Sequence, residues 1–281
     1  MTERPASQTA LMVAAYRARA SRRPNPLLTD PWAEAMAGPE GEALAARVDE
    51  FLAHRELWVA VRTAFLDRQV TSLTREGPQM RQVVLLGAGL DTRAARLGAS
   101  GVQFFEVDHP ASQRDKQERL RRIPGYPIAA ARYVACDFER DDFMSQLLGA
   151  GFHTDQPALV IWEGVTPYLR EPAIRSTLHR VAEGMDPRSV LLFDHFLKNL
   201  VEAPARPPKD AKTRAFVEEL GERFVFGTND PLPMLYEEGF RHVRSVSFDE
   251  ACLSLTGGYA REREFRFQRI VLASRTATGC L

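Results

Sequence analysis

Two textures divide the chain. In its first third, apolar residues recur at three- and four-residue steps, the spacing of a helix with one buried face. Ala6–Ala20 is alanine-rich, and Leu57, Val61, Ala64, Phe65 and Leu73 form a stripe that ends near Gly77-Pro78. Between them, Asp30-Pro31 reads as an N-cap followed by a proline at the first helical position. Pro39 and Gly41 punctuate before helical character resumes over Glu42–Phe51.

From Gln82 onward the pattern changes to short β-prone runs. Gln82–Gly87, Val102–Asp108, Tyr133–Asp137, Ala158–Trp162 and Ser189–Asp194 are predicted strands. They alternate with helix-like stretches such as Pro110–Arg121 and Pro172–Gly184. Near-continuous apolar runs suit strands buried on both faces of a parallel sheet, so the expected fold is doubly wound α/β. His242–Phe248 and Glu264–Ser274 are two further strands; in the second, Arg263, Phe265, Phe267 and Arg269 share one alternating register. The long segment Phe196–Gly239, with Pro204, Pro207, Pro208, Pro231 and Pro233, is expected to be a lid or substrate cap.

Composition narrows the class. The 281 residues are 44% hydrophobic and 26% charged, which excludes a disordered, collagen-like or coiled-coil chain. Formal net charge is zero, which disfavours non-specific nucleic-acid or anionic-membrane binding. Of the 37 basic residues 33 are arginine, the residue that pairs bidentately with carboxylate or phosphate. Three widely spaced cysteines (Cys136, Cys252, Cys280) make no disulfide framework or cysteine-rich zinc site, and a reducing cytoplasm is expected. No apolar run is long enough for a membrane span, and Ala10–Ala15 is too short for a signal-peptide core. The histidines show no metal-ligand spacing, so no metal is expected.

The chemistry is concentrated at strand ends. Val83-Val84-Leu85-Leu86-Gly87-Ala88-Gly89-Leu90-Asp91-Thr92 is a buried strand running into glycines that permit a tight turn and a close ligand approach. A dinucleotide fingerprint wants a small residue where Thr92 stands. Asp91 would face a pyrophosphate unfavourably, whereas S-adenosylmethionine has no phosphate and carries an ammonium group. Asp108 ends the second strand, where an acid accepts ribose hydroxyls. Asp137 follows the third strand, placed to take an adenine amino group with Phe138 beside the ring. Glu163 ends the fourth. All four acids lie at carboxyl ends, the ligand-binding edge of open α/β sheets.

These segments resemble the leucine carboxyl methyltransferase family, a branch of the class I S-adenosylmethionine-dependent methyltransferases, particularly its bacterial small-molecule O-methyltransferases. The resemblance runs from about Ala10 to Phe196. It rests on Arg17-Ala18 through Ser21, Asp30-Pro31, Arg62-Thr63 with Asp67, Gly87–Arg93, Glu106–Asp108, Asp137-Phe138, and Glu163-Gly164-Val165 with Tyr168-Leu169. It implies a Rossmann-like, seven-stranded, mostly parallel sheet with an antiparallel last strand. It implies S-adenosyl-L-methionine as cofactor: Arg62, and more loosely Arg17, at the methionine carboxylate, Gly87 and Gly89 at the methionine moiety, Asp108 at the ribose, Asp137 and Phe138 at the adenine, and Glu163 near the amino group. Tyr168 would face the active site.

One domain is expected, with a helical cap (1–78), a cofactor-binding core (79–196), a lid (197–239) and C-terminal strands (240–281). A sulfonium is already activated, so alignment and water exclusion suffice for a carboxylate acceptor; a phenol would benefit from a base, for which His195 and Asp194 are the candidates. The expected reaction is O-methylation of a small-molecule carboxylate or hydroxyl, of a kind found in secondary metabolism. A peptide C-terminal carboxylate is the alternative acceptor. An NAD-linked oxidoreductase or a catalytically silent cofactor-binding protein are the competing classes. The sequence does not reveal oligomeric state.

Overall fold

A computed structural model describes residues 7–76, 80–138, 140–202, 208–258 and 265–277. The expected helix end at Gly77-Pro78, the residues Pro204, Pro207, Arg263 and Glu264, and Cys280 lie outside them.

The chain begins with three helices, α1 (Gln8–Ser21), α2 (Ala33–Asp49) and α3 (Arg55–Thr71). It then alternates through β1 (Gln82–Leu86), α4 (Arg93–Leu97), β2 (Gln103–Asp108), α5 (Pro110–Arg121), β3 (Ala131–Ala135), α6 (Phe143–Gly149), β4 (Ala158–Trp162), α7 (Glu171–Gly184) and β5 (Val190–Phe196). Short helices α8 (Lys198–Val201), α9 (Pro208–Glu219) and α10 (Leu232–Glu237) occupy the expected lid segment, followed by β6 (His242–Ser247), α11 (Phe248–Thr256) and β7 (Gln268–Ser274).

The seven strands form one sheet in the order β3-β2-β1-β4-β5-β7-β6. The first five are parallel, and β7 runs antiparallel to both β5 and β6. Strand alternation feeds two cores. Val83, Leu85, Phe104, Leu159, Ile161 and Leu192 face the layer that includes α1 to α3. Val84, Leu86, Phe105, Val160, Trp162 and Phe193 face the layer of α6, α7 and α10. In α7 the buried Ile174, Thr177, Leu178, Val181 and Ala182 follow the helical period that the sequence shows.

Four local expectations change. Asp30 does not cap α2 at Pro31; the cap position is Trp32, whose N–H donates to Asp30 Oδ1 at 3.1 Å. Asp30 is instead drawn into ion pairing, as described below. Gly38 and Pro39 kink α2 without ending it, because Gly38 takes φ +63° and Pro39 opens the next helical stretch. The third strand lies two residues earlier than predicted, leaving Cys136 and Asp137 beyond its end. The final strand pairs only from Gln268, so Phe265 and Phe267 do not continue its alternation. They pack against Trp58 instead, at ring-centroid distances of 6.4 and 6.3 Å.

The chain crosses from β3 back over the sheet to add β4 on the other side of β1. That reversal leaves a crevice between the carboxyl ends of β1 and β4, the position at which doubly wound sheets bind ligands.

Candidate active site

The crevice is a cavity of about 220 Å³. A single buried water needs roughly 10–15 Å³ on such a measure, so the cavity admits on the order of fifteen to twenty such groups, the scale of a nucleoside-containing ligand. Gly87, Gly89, Asp108, Asp137, Phe138, Glu163, Tyr168, Arg17 and Arg62 all line it.

The glycine turn after β1 is fixed by sterics. Gly87 has φ +67°, and a Cβ there would come within 2.3 Å of Val165 Cγ2, in the loop after β4. Its N–H donates to the Val107 carbonyl at 2.7 Å, binding the turn to β2. Gly89 has φ +47°, and Ala10 of α1 packs over it. Its N–H donates to Asp108 Oδ2, while His109 N–H donates to Oδ1 at 2.6 Å. Burial pushes the Asp108 carboxyl up, opposed by those two hydrogen bonds. Each carboxylate oxygen keeps a lone pair for a further donor.

Asp137 and Phe138 follow β3 on the same edge. Asp137 Oδ2 is 3.7 Å from Arg140 Nε, and Phe138 packs on Phe143 with ring centroids 6.2 Å apart.

A buried ion network lies beneath the cavity. Glu163 Oε1 is 2.7 Å from Arg62 Nε, and its Oε2 accepts from Arg93 Nη1 at 2.6 Å. Arg93 also holds Asp91 and, at 2.6 Å, Asp67, which in turn takes Arg96 at 2.6 Å. Burial alone would raise Glu163, but Arg93 and Arg62 outweigh it and hold the carboxyl below its usual range. For Asp91, too, burial is opposed by stronger attraction to Arg93, Lys116 and Arg17, which brings it down to about 2. Asp91 therefore serves Arg93 rather than presenting a bare acid to the ligand. Arg93 and Asp67 belong to the motifs read from the sequence, yet their pairing was not foreseen; an arginine next to the glycine turn and an acid on the preceding helix were the only signal.

Four further residues prove part of the frame. Arg17 Nε donates to Asp30 Oδ2 at 2.9 Å and its Nη2 to the Leu90 carbonyl at 2.6 Å, so its charge is already matched. Thr92 Oγ1 donates to the same Asp30 oxygen at 2.7 Å. Asp194 is 1% exposed and does not line the cavity; it accepts from Gly164 N–H at 2.6 Å and from Gln268 Nε2, and lies 3.4 Å from Arg62 Nη1. It braces the loop after β4. His195 is 0% exposed and also lies off the cavity. Burial pushes it down to about 4, so it is a neutral core histidine at physiological pH. The geometry does not bring this pair forward as a base.

Arg55, Trp58, Tyr168, Phe196, Leu220 and Glu222 also line the cavity. Glu222 closes it over: its Oε1 accepts from Ser7 Oγ at 2.8 Å and its Oε2 from Thr9 Oγ1 at 2.7 Å. Burial raises the Tyr168 hydroxyl pKa, so the phenol stays protonated. No cluster of metal-ligating side chains occurs among the described residues, and no helix of theirs is long and apolar enough to cross a membrane.

Comparison with known proteins accords with this geometry. A protein of Mycolicibacterium paratuberculosis, named as a candidate S-adenosyl-L-methionine-dependent methyltransferase, is 38% identical over 177 residues, covering 57% of this chain and 56% of its own length. One of Mycobacterium marinum with the same description is 37% identical over 199 residues, covering 67% of this chain and 65% of itself. The chain thus spans less than two thirds of either relative. Two crystal structures share the fold: a DUF574 family protein of Streptomyces avermitilis (TM-score 0.67, 13% identity, covering 96% of this chain and 98% of that one) and a candidate methyltransferase of Thermobifida fusca (TM-score 0.62, 15% identity, covering 97% and 96%). The family described as leucine carboxyl methyltransferase matches residues 10–182, well over half the chain. The chain therefore belongs to the leucine carboxyl methyltransferase family, with S-adenosyl-L-methionine as its cofactor.

Proposed function

We propose that the protein is an S-adenosyl-L-methionine-dependent O-methyltransferase acting on a carboxylate or hydroxyl of a small molecule. The observation that carries this is the convergence, at one crevice, of a side-chain-free turn at Gly87 and Gly89, the half-satisfied Asp108 carboxylate, Asp137 with Phe138, and an acid, Glu163, held ionised. Such a site suits a ligand with a ribose, an adenine and a cationic amino group.

When bound, the cofactor supplies an activated methyl group. The chain's own residues do the rest. Asp108 accepts from the ribose hydroxyls, Asp137 and Phe138 take the adenine, and Glu163 faces the amino group. Arg62 offers its remaining N–H capacity to the methionine carboxylate. Arg17 positions the Leu90 carbonyl of the glycine turn. Segment 197–239 acts as a lid over a single domain, latched through Glu222 to the helical cap, and excludes water. Tyr168 stays protonated beside the acceptor and donates a hydrogen bond to it. An ionised carboxylate needs no base, and the histidine among the described lining residues, His109, caps α5 by accepting from the Ala111 N–H at 3.2 Å.

Calorimetry tests the proposal. S-adenosylhomocysteine should bind and NAD should not; the reverse pattern would overturn it. Labelled methyl transfer to candidate acids, followed by mild alkali, then separates a methyl ester from an ether.

A further inference from the structure

Helix α3 carries a graded series of charges along the cavity wall. Asp67, nearest its C-terminal end, is held by Arg93 and Arg96. Arg62 faces Glu163 and Asp194. Arg55, two turns toward the N-terminus and about 10 Å along the axis, has no acidic partner among the described residues. It is 6% exposed, lines the cavity, and its Nε and Nη1 have no hydrogen-bond partner among the described residues. Its Cζ lies 3.8 Å from the centroid of the Trp58 ring, and the buried Trp58 Nε1 likewise has no acceptor.

Buried cations ordinarily come paired, because the desolvation penalty is otherwise uncompensated. Burial and the neighbouring Arg62 bring Arg55 down to about 10, with Tyr16 and Tyr168 opposing, so it remains charged at neutral pH. A guanidinium kept charged, dry and unpaired in a ligand cavity is complementary to an incoming anion. Arg62 is the arginine proposed above for the cofactor's carboxylate, which leaves Arg55 for a second anion. The cofactor's ribose and adenine positions lie at the ends of β2 and β3, and its methionine end at Glu163 and Arg62. Arg55 lies about two turns from Arg62 along α3; the two Cζ atoms are 3.8 and 4.3 Å from the centroid of the same Trp58 ring, and Arg55 shares the cavity lining with Tyr168 and Phe196.

We propose that Arg55 anchors the methyl acceptor, pairing with a carboxylate whose apolar body packs against Trp58, Tyr168 and Phe196. The acceptor class is thus a hydrophobic carboxylic acid. This role rests on the methyltransferase activity proposed above.

Benzoate, with benzamide as its neutral counterpart, is the probe, titrated calorimetrically into protein saturated with S-adenosylhomocysteine. Benzoate should bind the native protein more tightly than benzamide does. R55M should weaken benzoate by about tenfold or more, the loss of a charge-assisted fork, and leave S-adenosylhomocysteine affinity within about twofold. R55K, which keeps the charge but not the fork, should fall between. Because the native guanidinium is unpaired, R55M should melt at or above the native temperature; a large fall would show a structural role and overturn the assignment. Equal benzoate affinity in native and R55M protein, no preference over benzamide, or a parallel loss of S-adenosylhomocysteine would also overturn it. Should the native protein not bind S-adenosylhomocysteine, the methyltransferase proposal alone fails. The benzoate titration on ligand-free protein then still decides whether Arg55 is an anion site.

Discussion

The Gly89 N–H donates to Oδ2 of Asp108, nineteen residues further along the chain, and so ties the turn after β1 to the end of β2. The contact fixes the acid that is proposed to take the ribose while leaving it lone pairs to do so. D108A should therefore lower S-adenosylhomocysteine affinity by about tenfold or more, since two charge-assisted hydrogen bonds are removed. Calorimetry measures it, and unchanged affinity would place the ribose elsewhere.

Gly87 has no room for a side chain. G87A combines a positive φ with a 2.3 Å approach to Val165, and should cost about 1–3 kcal/mol of stability for the backbone conformation alone. Adding V165A should relieve the steric part and leave the conformational part. Urea unfolding of the single and double variants separates the two.

Arg93 holds three carboxylates in a largely dry region. R93M leaves Asp67, Asp91 and Glu163 with less compensation and should destabilise by roughly 3–5 kcal/mol. R93M with D67N should recover part of that, which chemical denaturation can read as a coupling energy.

His195 gives the fold an acid-sensitive window. Its folded value of about 4 lies below its unfolded value near 6.5, so the unfolded chain takes up the proton first as pH falls. Its contribution is complete above about pH 6.5 and is lost on the way down to about pH 4, ~3 kcal/mol in all. Glu106, raised by burial to about 7, has the opposite sign: its contribution is present at low pH and is lost as pH rises through about 7. Comparing native protein with H195Q at each pH isolates the histidine. The difference in unfolding free energy should shrink between pH 6.5 and pH 4.

Glu222 connects the proposed lid segment to Ser7 and Thr9 at the start of α1. E222A should speed S-adenosylhomocysteine release roughly two- to fivefold, the effect of losing ~0.5–1 kcal/mol of partly exposed hydrogen bonding. Stopped-flow dissociation measures it, and an unchanged rate would remove the lid role from this contact.

Much of this architecture is legible along the chain, because its signals are local. Ala158–Trp162 is a strand in both readings, and continuous apolar runs such as Val83–Leu86 mark strands with two buried faces. The glycine turn and the acids after β1 to β4 follow from chain order alone, since parallel strands bring their carboxyl ends to one edge. Legibility fails where the deciding partner is distant. Asp30-Pro31 resembles a helix start, but Arg17 and Thr92 compete for the aspartate. His195 lies one residue before the end of its strand on the expected edge, yet the β5–β7 pairing and the packing around it place the ring in the core.

The arginines show the division most plainly. By itself the sequence determined the alternating strands and helices and their ligand-binding edge, consequences of periodicity and spacing within short segments, and its resemblance to the family implied the cofactor. It could not say which guanidiniums were already paired. Only the tertiary structure decided that Arg17, Arg62 and Arg93 face acids while Arg55 faces none among the described residues, because ion pairing in a buried site depends on groups that folding brings together from far along the chain.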